Sequence, residues 1–84
     1  MNIELALNKA INILKSAKNV TPAVDAGVIL CFVLNCDRIY LFTHNDYKLE
    51  LNEIKKYINL INLRAKGVPI QYITGKKEFM SLNF

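Results

Sequence analysis

The sequence predicts an all-α fold, a small bundle of about five short helices that ends in an unpaired β-strand. Three features predict it. Apolar residues recur at three- and four-residue steps through most of the chain. Pro, Gly, Asn and Asp fall between those stretches, where helices start and stop. From Glu78 onward the spacing changes to alternation, which puts Met80, Leu82 and Phe84 on one side of an extended segment.

The first helix runs from Ile3 to about Lys18, with Ile3, Leu7, Ala10, Leu14 and Ala17 as its apolar stripe. Asn2 suits its N-cap, and Asn19 suits the left-handed position past its end. Thr21 and Pro22 open the second helix, Thr21 as N-cap and Pro22 at the first helical position, where its missing donor costs nothing. Asp25 lies in the first turn, where negative charge suits the helix dipole. From Ala26 to Leu34 almost every residue is apolar, so this helix is expected at the centre of the bundle, buried on nearly all sides.

Asp37 caps a short third helix, Arg38–His44, and Asn45 and Asp46 form the turn after it. The fourth helix spans Glu50 to Lys66, with Leu51, Ile54, Ile58, Ile61 and Ala65 as the core stripe. Its N-cap is not evident in the sequence. Arg64 and Lys66 suit the negative end of the helix dipole, and Gly67 supplies the stop. Pro69 opens a fifth helix through about Ile73, and Gly75 ends it. Lys76 and Lys77 fill the turn before the strand. A lone apolar strand leaves backbone donors and acceptors unpaired, so the chain is expected to be part of a longer protein: a helical domain over 1–75, then the start of a β-hairpin linker over 76–84.

Composition narrows the function classes. With 84 residues, 52% of them hydrophobic and 21% charged, the chain has room for one domain with one small core. Its longest apolar run, Val28–Leu34, is far shorter than the ~18–20 residues of a membrane span. The N-terminus has Glu4 and amphipathic spacing in place of a secretory signal, so a cytoplasmic location without membrane contact is expected. Cys31 and Cys36 are not spaced as C-x-x-C, and His44 is the one histidine, so zinc ligands are lacking and Cys31 reads as a small core residue. His44 and Asp46 have no nucleophile beside them and read as structural or solvated groups.

No catalytic, cofactor-binding or metal-binding residue is expected in this segment. Its three glycines are too far apart to form a phosphate or nucleotide loop, and its carboxylates form no acid–base pair. The formal charge of +4 is modest, and the basic groups that stand out are Arg64, Lys66, Lys76 and Lys77, grouped around the fifth helix with Gln71 and Tyr72 between them. Two readings are open for that group. It is a dipole-satisfying helix end followed by a solvated turn, or it is a docking patch for an acidic partner.

The stretch Gly67–Phe84, read G-V-P-I-Q-Y-I-T-G-K-K-E-F-M-S-L-N-F, resembles the end of the N-terminal domain in the HemK/PrmC family of release-factor glutamine methyltransferases. Gly67, Pro69, Gly75, Glu78, Phe79 and Leu82 match the family's pattern there, and Arg64 matches a basic position before the glycine. Pro22, Asp25 and Ala26 resemble its P-x-x-D-A-E signature at the second helix, although this chain has Gly27 where the family has glutamate. The resemblance implies a full-length enzyme that transfers a methyl group from S-adenosylmethionine to the Gly-Gly-Gln glutamine of peptide chain release factors. It implies a C-terminal Rossmann-like catalytic domain, joined by a β-hairpin, that carries the cofactor loop and an Asn-Pro-Pro-Tyr motif. With prolines only at 22 and 69, this chain has no such motif. The role implied for these residues is to dock the release factor, with Arg64, Lys66, Gln71, Tyr72, Lys76 and Lys77 as candidate contacts.

Two other classes compete. One is a stand-alone basic module for nucleic acid, whose affinity would fall steeply with salt. No recognition helix stands out for that role, so nucleic acid is not expected as a partner. The other is a helical module that regulates another protein, against which the apolar terminal strand argues.

Overall fold

The computed structural model describes residues 1–75, and the expected strand and hairpin linker over 76–84 lie outside the described residues. Five helices follow one another: α1 (Ile3–Ser16), α2 (Pro22–Leu34), α3 (Arg38–Thr43), α4 (Leu51–Ala65) and α5 (Ile70–Thr74). The all-α bundle expected from the sequence is the one observed. As expected, α2 sits at the centre, packed against each of the other four helices, while α1 and α4 also pack on each other.

The start of α1 is held twice. The Asn2 side-chain oxygen accepts the Leu5 N–H at 2.8 Å, as the sequence predicts for an N-cap. Two further amides of the first turn, on Ile3 and Glu4, donate to the Tyr47 and Asn45 carbonyls at 3.0 and 3.1 Å. The Leu49 N–H donates to the Met1 carbonyl at 2.9 Å, so the chain start and the segment before α4 form a short antiparallel contact, with a bridge between Asn2 and Lys48. This fastening joins residues far apart in sequence, so no local pattern announces it.

The end of α1 corrects the sequence reading by one residue. Lys18, with φ of 63°, takes the left-handed position expected of Asn19. The Lys18 and Asn19 amides then donate to the Lys15 and Leu14 carbonyls at 2.9 and 3.0 Å, the paired bonds of a Schellman stop. Asn19 is used differently. Its side-chain oxygen accepts the Thr21 N–H at 2.7 Å, and its amide nitrogen donates to Asp25. Thr21 precedes α2 as expected, yet its side chain makes no capping bond.

The core consists of Ile3, Ala6, Ala10 and Leu14 from α1, Ala26, Ile29 and Leu30 from α2, Tyr57 and Ile61 from α4, with Leu41, Leu49 and Ile73 at its edges. Ala17, expected on the stripe of α1, is exposed, and Leu7 is half-buried. On α2 the burial is less complete than expected, since Ala23 and Val24 face solvent and the last turns are half-buried. The stripe of α4 is rotated. Leu51 is 67% exposed, whereas Tyr57, absent from the expected stripe, is fully buried. One residue turns a helix by about 100°, so centring the stripe on Tyr57 and Ile61 instead of Ile58 carries Leu51 outside and Arg64 inside.

The remaining caps follow the chemistry of their residues. Asp37 accepts the Tyr40 N–H at 2.9 Å at the start of α3. At the start of α4, where the sequence offers no evident cap, the Glu53 carboxylate reaches back to accept the Glu50 N–H at 2.8 Å. Gly67, with φ of 102°, completes the stop of α4, its own N–H donating to the Arg64 carbonyl and that of Val68 to the Leu63 carbonyl.

Candidate functional site

The end of α4, the turn 66–69 and α5 gather most of the described residues singled out in the sequence. Gly67 reverses the chain, Pro69 precedes α5 with φ of −60° and ψ of 147°, and Gly75 ends α5 with φ of 73°. Proline fixes φ near that value and glycine tolerates the other, so these residue types suit a tight helix–turn–helix. On α5, Ile73 and Thr74 turn inward, while Gln71 and Tyr72 face out, Tyr72 being 65% exposed. Lys66 is exposed as well. Lys76 and Lys77, and the motif positions Glu78, Phe79 and Leu82, lie outside the described residues.

Arg64 points the other way. Its Nε donates to Asp25 Oδ2 at 2.8 Å, and its Nη1 donates to the Val68 carbonyl at 3.2 Å. The same Asp25 oxygen accepts the Asn19 amide at 2.9 Å. Asp25 and Arg64 retain only 10% and 24% of their side-chain exposure. Charges this withdrawn from water need partners, and here each has two. The network fastens the α1–α2 connection, the first turn of α2, the last turn of α4 and the turn leading to α5. Pro22 and Ala26, the neighbouring motif positions, occupy the first helical position and the core.

Tyr57 ties the same two helices at a second point. Its hydroxyl donates to the Ala26 carbonyl at 2.9 Å. Burial pushes the phenol up, well above the ordinary tyrosine range, with a smaller contribution from Cys31. Burial, and then the neighbouring Cys31, push the Cys36 thiol up to about 11, so it stays protonated at neutral pH. His44 stacks on Tyr40 with ring centroids 4.1 Å apart, and its Nδ1 is 2.9 Å from Thr43 Oγ1, a structural use of the histidine.

Sequence reasoning missed Tyr57 and the inward turn of Arg64, although one signal was present. Tyr57, Ile61 and Arg64 stand at four- and three-residue steps, so all three share one helix face. It also missed the relation of Gly27 to Arg38. The place of a Cβ on Gly27 is 3.4 Å from Arg38 Nε and 3.7 Å from its Cζ, so the guanidinium lies over the bare backbone of α2.

The described residues do not fit a site for S-adenosylmethionine. Gly27 lies inside α2, and Gly67 and Gly75 end helices, so no run of glycine amides cradles a cofactor. Among the described residues no three His, Cys, Asp or Glu side chains come together as metal ligands. Among them, too, no helix is long and apolar enough to cross a membrane.

The chain is 44% identical over its full length to a release factor glutamine methyltransferase of Clostridium acetobutylicum and 39% identical to one of Koribacter versatilis, covering 30% of each of those proteins. A relative of the same description from Clostridium botulinum is 43% identical over 86% of this chain and 25% of its own length. The chain thus spans about 30% of the length of the first two curated relatives. No solved structure matches it. The family described as PrmC N-terminal domain matches residues 6–75, and the chain belongs to that family.

Proposed function

We propose that this domain docks a peptide chain release factor for an S-adenosylmethionine-dependent glutamine N5-methyltransferase and contributes no catalytic group of its own. In this reading the methyl transfer takes place on a C-terminal Rossmann-like domain of the full-length cytoplasmic enzyme, which holds the cofactor and the Gly-Gly-Gln glutamine. The observation that carries it is the whole-length similarity to release factor glutamine methyltransferases more than three times longer than this chain. The arrangement of groups supports the same division of labour. Arg64 is spent on the Asp25 network, which leaves Lys66, Gln71 and Tyr72 on the outer side of the turn and α5 as the docking contacts, continued by Lys76 and Lys77 in sequence.

Calorimetric titration of the 84-residue chain tests the reading. A release factor is expected to bind, with affinity that falls as salt is added, and S-adenosylmethionine is expected to give no heat. Cofactor binding without release-factor binding would overturn the proposal.

A further inference from the structure

A groove of about 680 Å³ is lined by residues of α2, of the segment that leads into α3, by Lys56 of α4 and by Thr74 of α5. Its floor is apolar, built by Val28, Phe32 and Val33 on the half of α2 that the bundle leaves half-buried. Two cations stand on it. Lys56 Nζ sits 5.3 Å from the centroid of the Phe32 ring, held over an aromatic face and not by a carboxylate. Arg38 lies across Gly27, its Nε 3.4 Å from where a Cβ on that residue would stand. Among the described residues the one ion pair is Arg64–Asp25, so neither cation of the groove has a carboxylate partner there. The groove's own acid, Asp37, has an oxygen committed to the Tyr40 amide at 2.9 Å.

We propose that this groove receives an acidic segment of the docked protein, one that sets an apolar side chain on the Phe32 floor and carboxylates against Arg38 and Lys56. The proposal rests on the docking reading above and adds the chemistry of the segment that docks. The complementarity is of two kinds at once. An apolar floor rewards a side chain that leaves water, and a pair of cations with no carboxylate partner among the described residues rewards negative charge beside it. Arginine is suited to this use because its planar fork meets a carboxylate through two parallel bonds. Nucleic acid fits less well, since Phe32 is the one aromatic ring among the described residues that line the groove, whereas a single strand is held by stacking successive bases on several rings.

The test uses the 15N-labelled 84-residue chain, with an acetylated Glu-Leu-Glu-Phe peptide amide and an intact release factor as probes. The peptide is expected to shift amide signals over Val28–Arg38 and at Lys56. The double variant Arg38→Glu, Lys56→Glu is expected to weaken both probes at least about ten-fold, and Lys56→Gln alone to weaken them less, each variant keeping the helical circular dichroism of the parent. Release factor that binds the double variant as tightly as the parent would overturn the groove and leave the docking reading standing. Peptide shifts confined to another face would overturn it too. So would binding of the peptide that emerges only in Glu78→Gln, which would make the chain's own Glu78 the occupant, or tighter binding of an oligothymidylate at the same amides. If the peptide fills the groove while release factor fails to bind at all, the docking reading falls and the groove stands as a site for acidic segments.

Discussion

Arg64 and Asp25 are 39 residues apart in sequence, yet Nε and Oδ2 meet at 2.8 Å in a partly buried setting. The pair joins the end of α4 to the start of α2, and through Asn19 and Val68 it reaches the connections on either side. It therefore sets where α5 begins relative to the bundle. A residue whose position beside Lys66 suggests a surface contact serves instead to hold the turn that leads to α5.

Removing the guanidinium exposes this role. Arg64→Ala leaves the Asp25 carboxylate shielded from water with only Asn19 as partner, and is expected to cost about 1.5–3 kcal/mol in urea unfolding. Arg64→Lys restores the charge but not the fork, so it recovers part of that loss. A double-mutant cycle with Asp25→Ala is expected to give a coupling of at least about 0.5 kcal/mol. Strict additivity would mean that the two side chains act independently.

Tyr57 makes stability depend on alkaline pH. The fold raises the pKa values of both Tyr57 and Cys36, so each group keeps its proton in the folded state after the unfolded chain has released it. The unfolded state then binds fewer protons, and stability falls as pH rises. The melting temperature is expected to be level up to about pH 9 and to drop as pH climbs towards 11. Tyr57→Phe should lose about 1 kcal/mol at neutral pH, from the buried bond to Ala26, and show a shallower alkaline decline. A parent protein whose melting temperature is flat to pH 11 would contradict the burial of both groups.

Two glycines respond to alanine with opposite signs. At Gly67, with φ of 102°, a side chain is strained in the left-handed region, and Gly67→Ala is expected to destabilise by about 1–2 kcal/mol. Gly27 lies inside α2, where the nearest atoms that an added Cβ would meet belong to the exposed Arg38 side chain, at 3.4–3.8 Å. That side chain has room to give, so Gly27→Ala is expected to stabilise by about 0.5–1 kcal/mol. Thermal unfolding of the two variants side by side shows whether the signs differ.

Leu30 lies at the middle of α2, with no exposure to solvent. Leu30→Ala is expected to cost about 2–5 kcal/mol, the range set by how far the core relaxes around the lost methyl groups. A change of only a few tenths in urea unfolding would displace α2 from the centre of the bundle.

Much of this fold was legible in the sequence because its signals are local. Pro22, Asp37, Gly67, Pro69 and Gly75 act on their own turns of chain, and each sits where its backbone chemistry places it. Leu51 and Tyr57 show what local reading loses. Apolar spacing on α4 is broad enough to admit two neighbouring stripes, and only packing against α1 and α2 selects the one centred on Tyr57. The candidate site was less legible for the same reason. Charge near a helix end satisfies the dipole or pairs across the bundle, and Arg64 does the second because Asp25 is buried opposite it. The Arg38 groove depends on α3 folding back over Gly27, which no spacing within either helix encodes.

The docking role is tested most directly by hydrogen–deuterium exchange of the 84-residue chain, alone and with a saturating release factor. The account predicts slowed exchange in two places, the turn and α5 around Lys66, Gln71 and Tyr72, and the groove from Phe32 to Arg38 with Lys56. Protection spread over the outer face of α1 instead, or no protection at all under saturating partner, would contradict it.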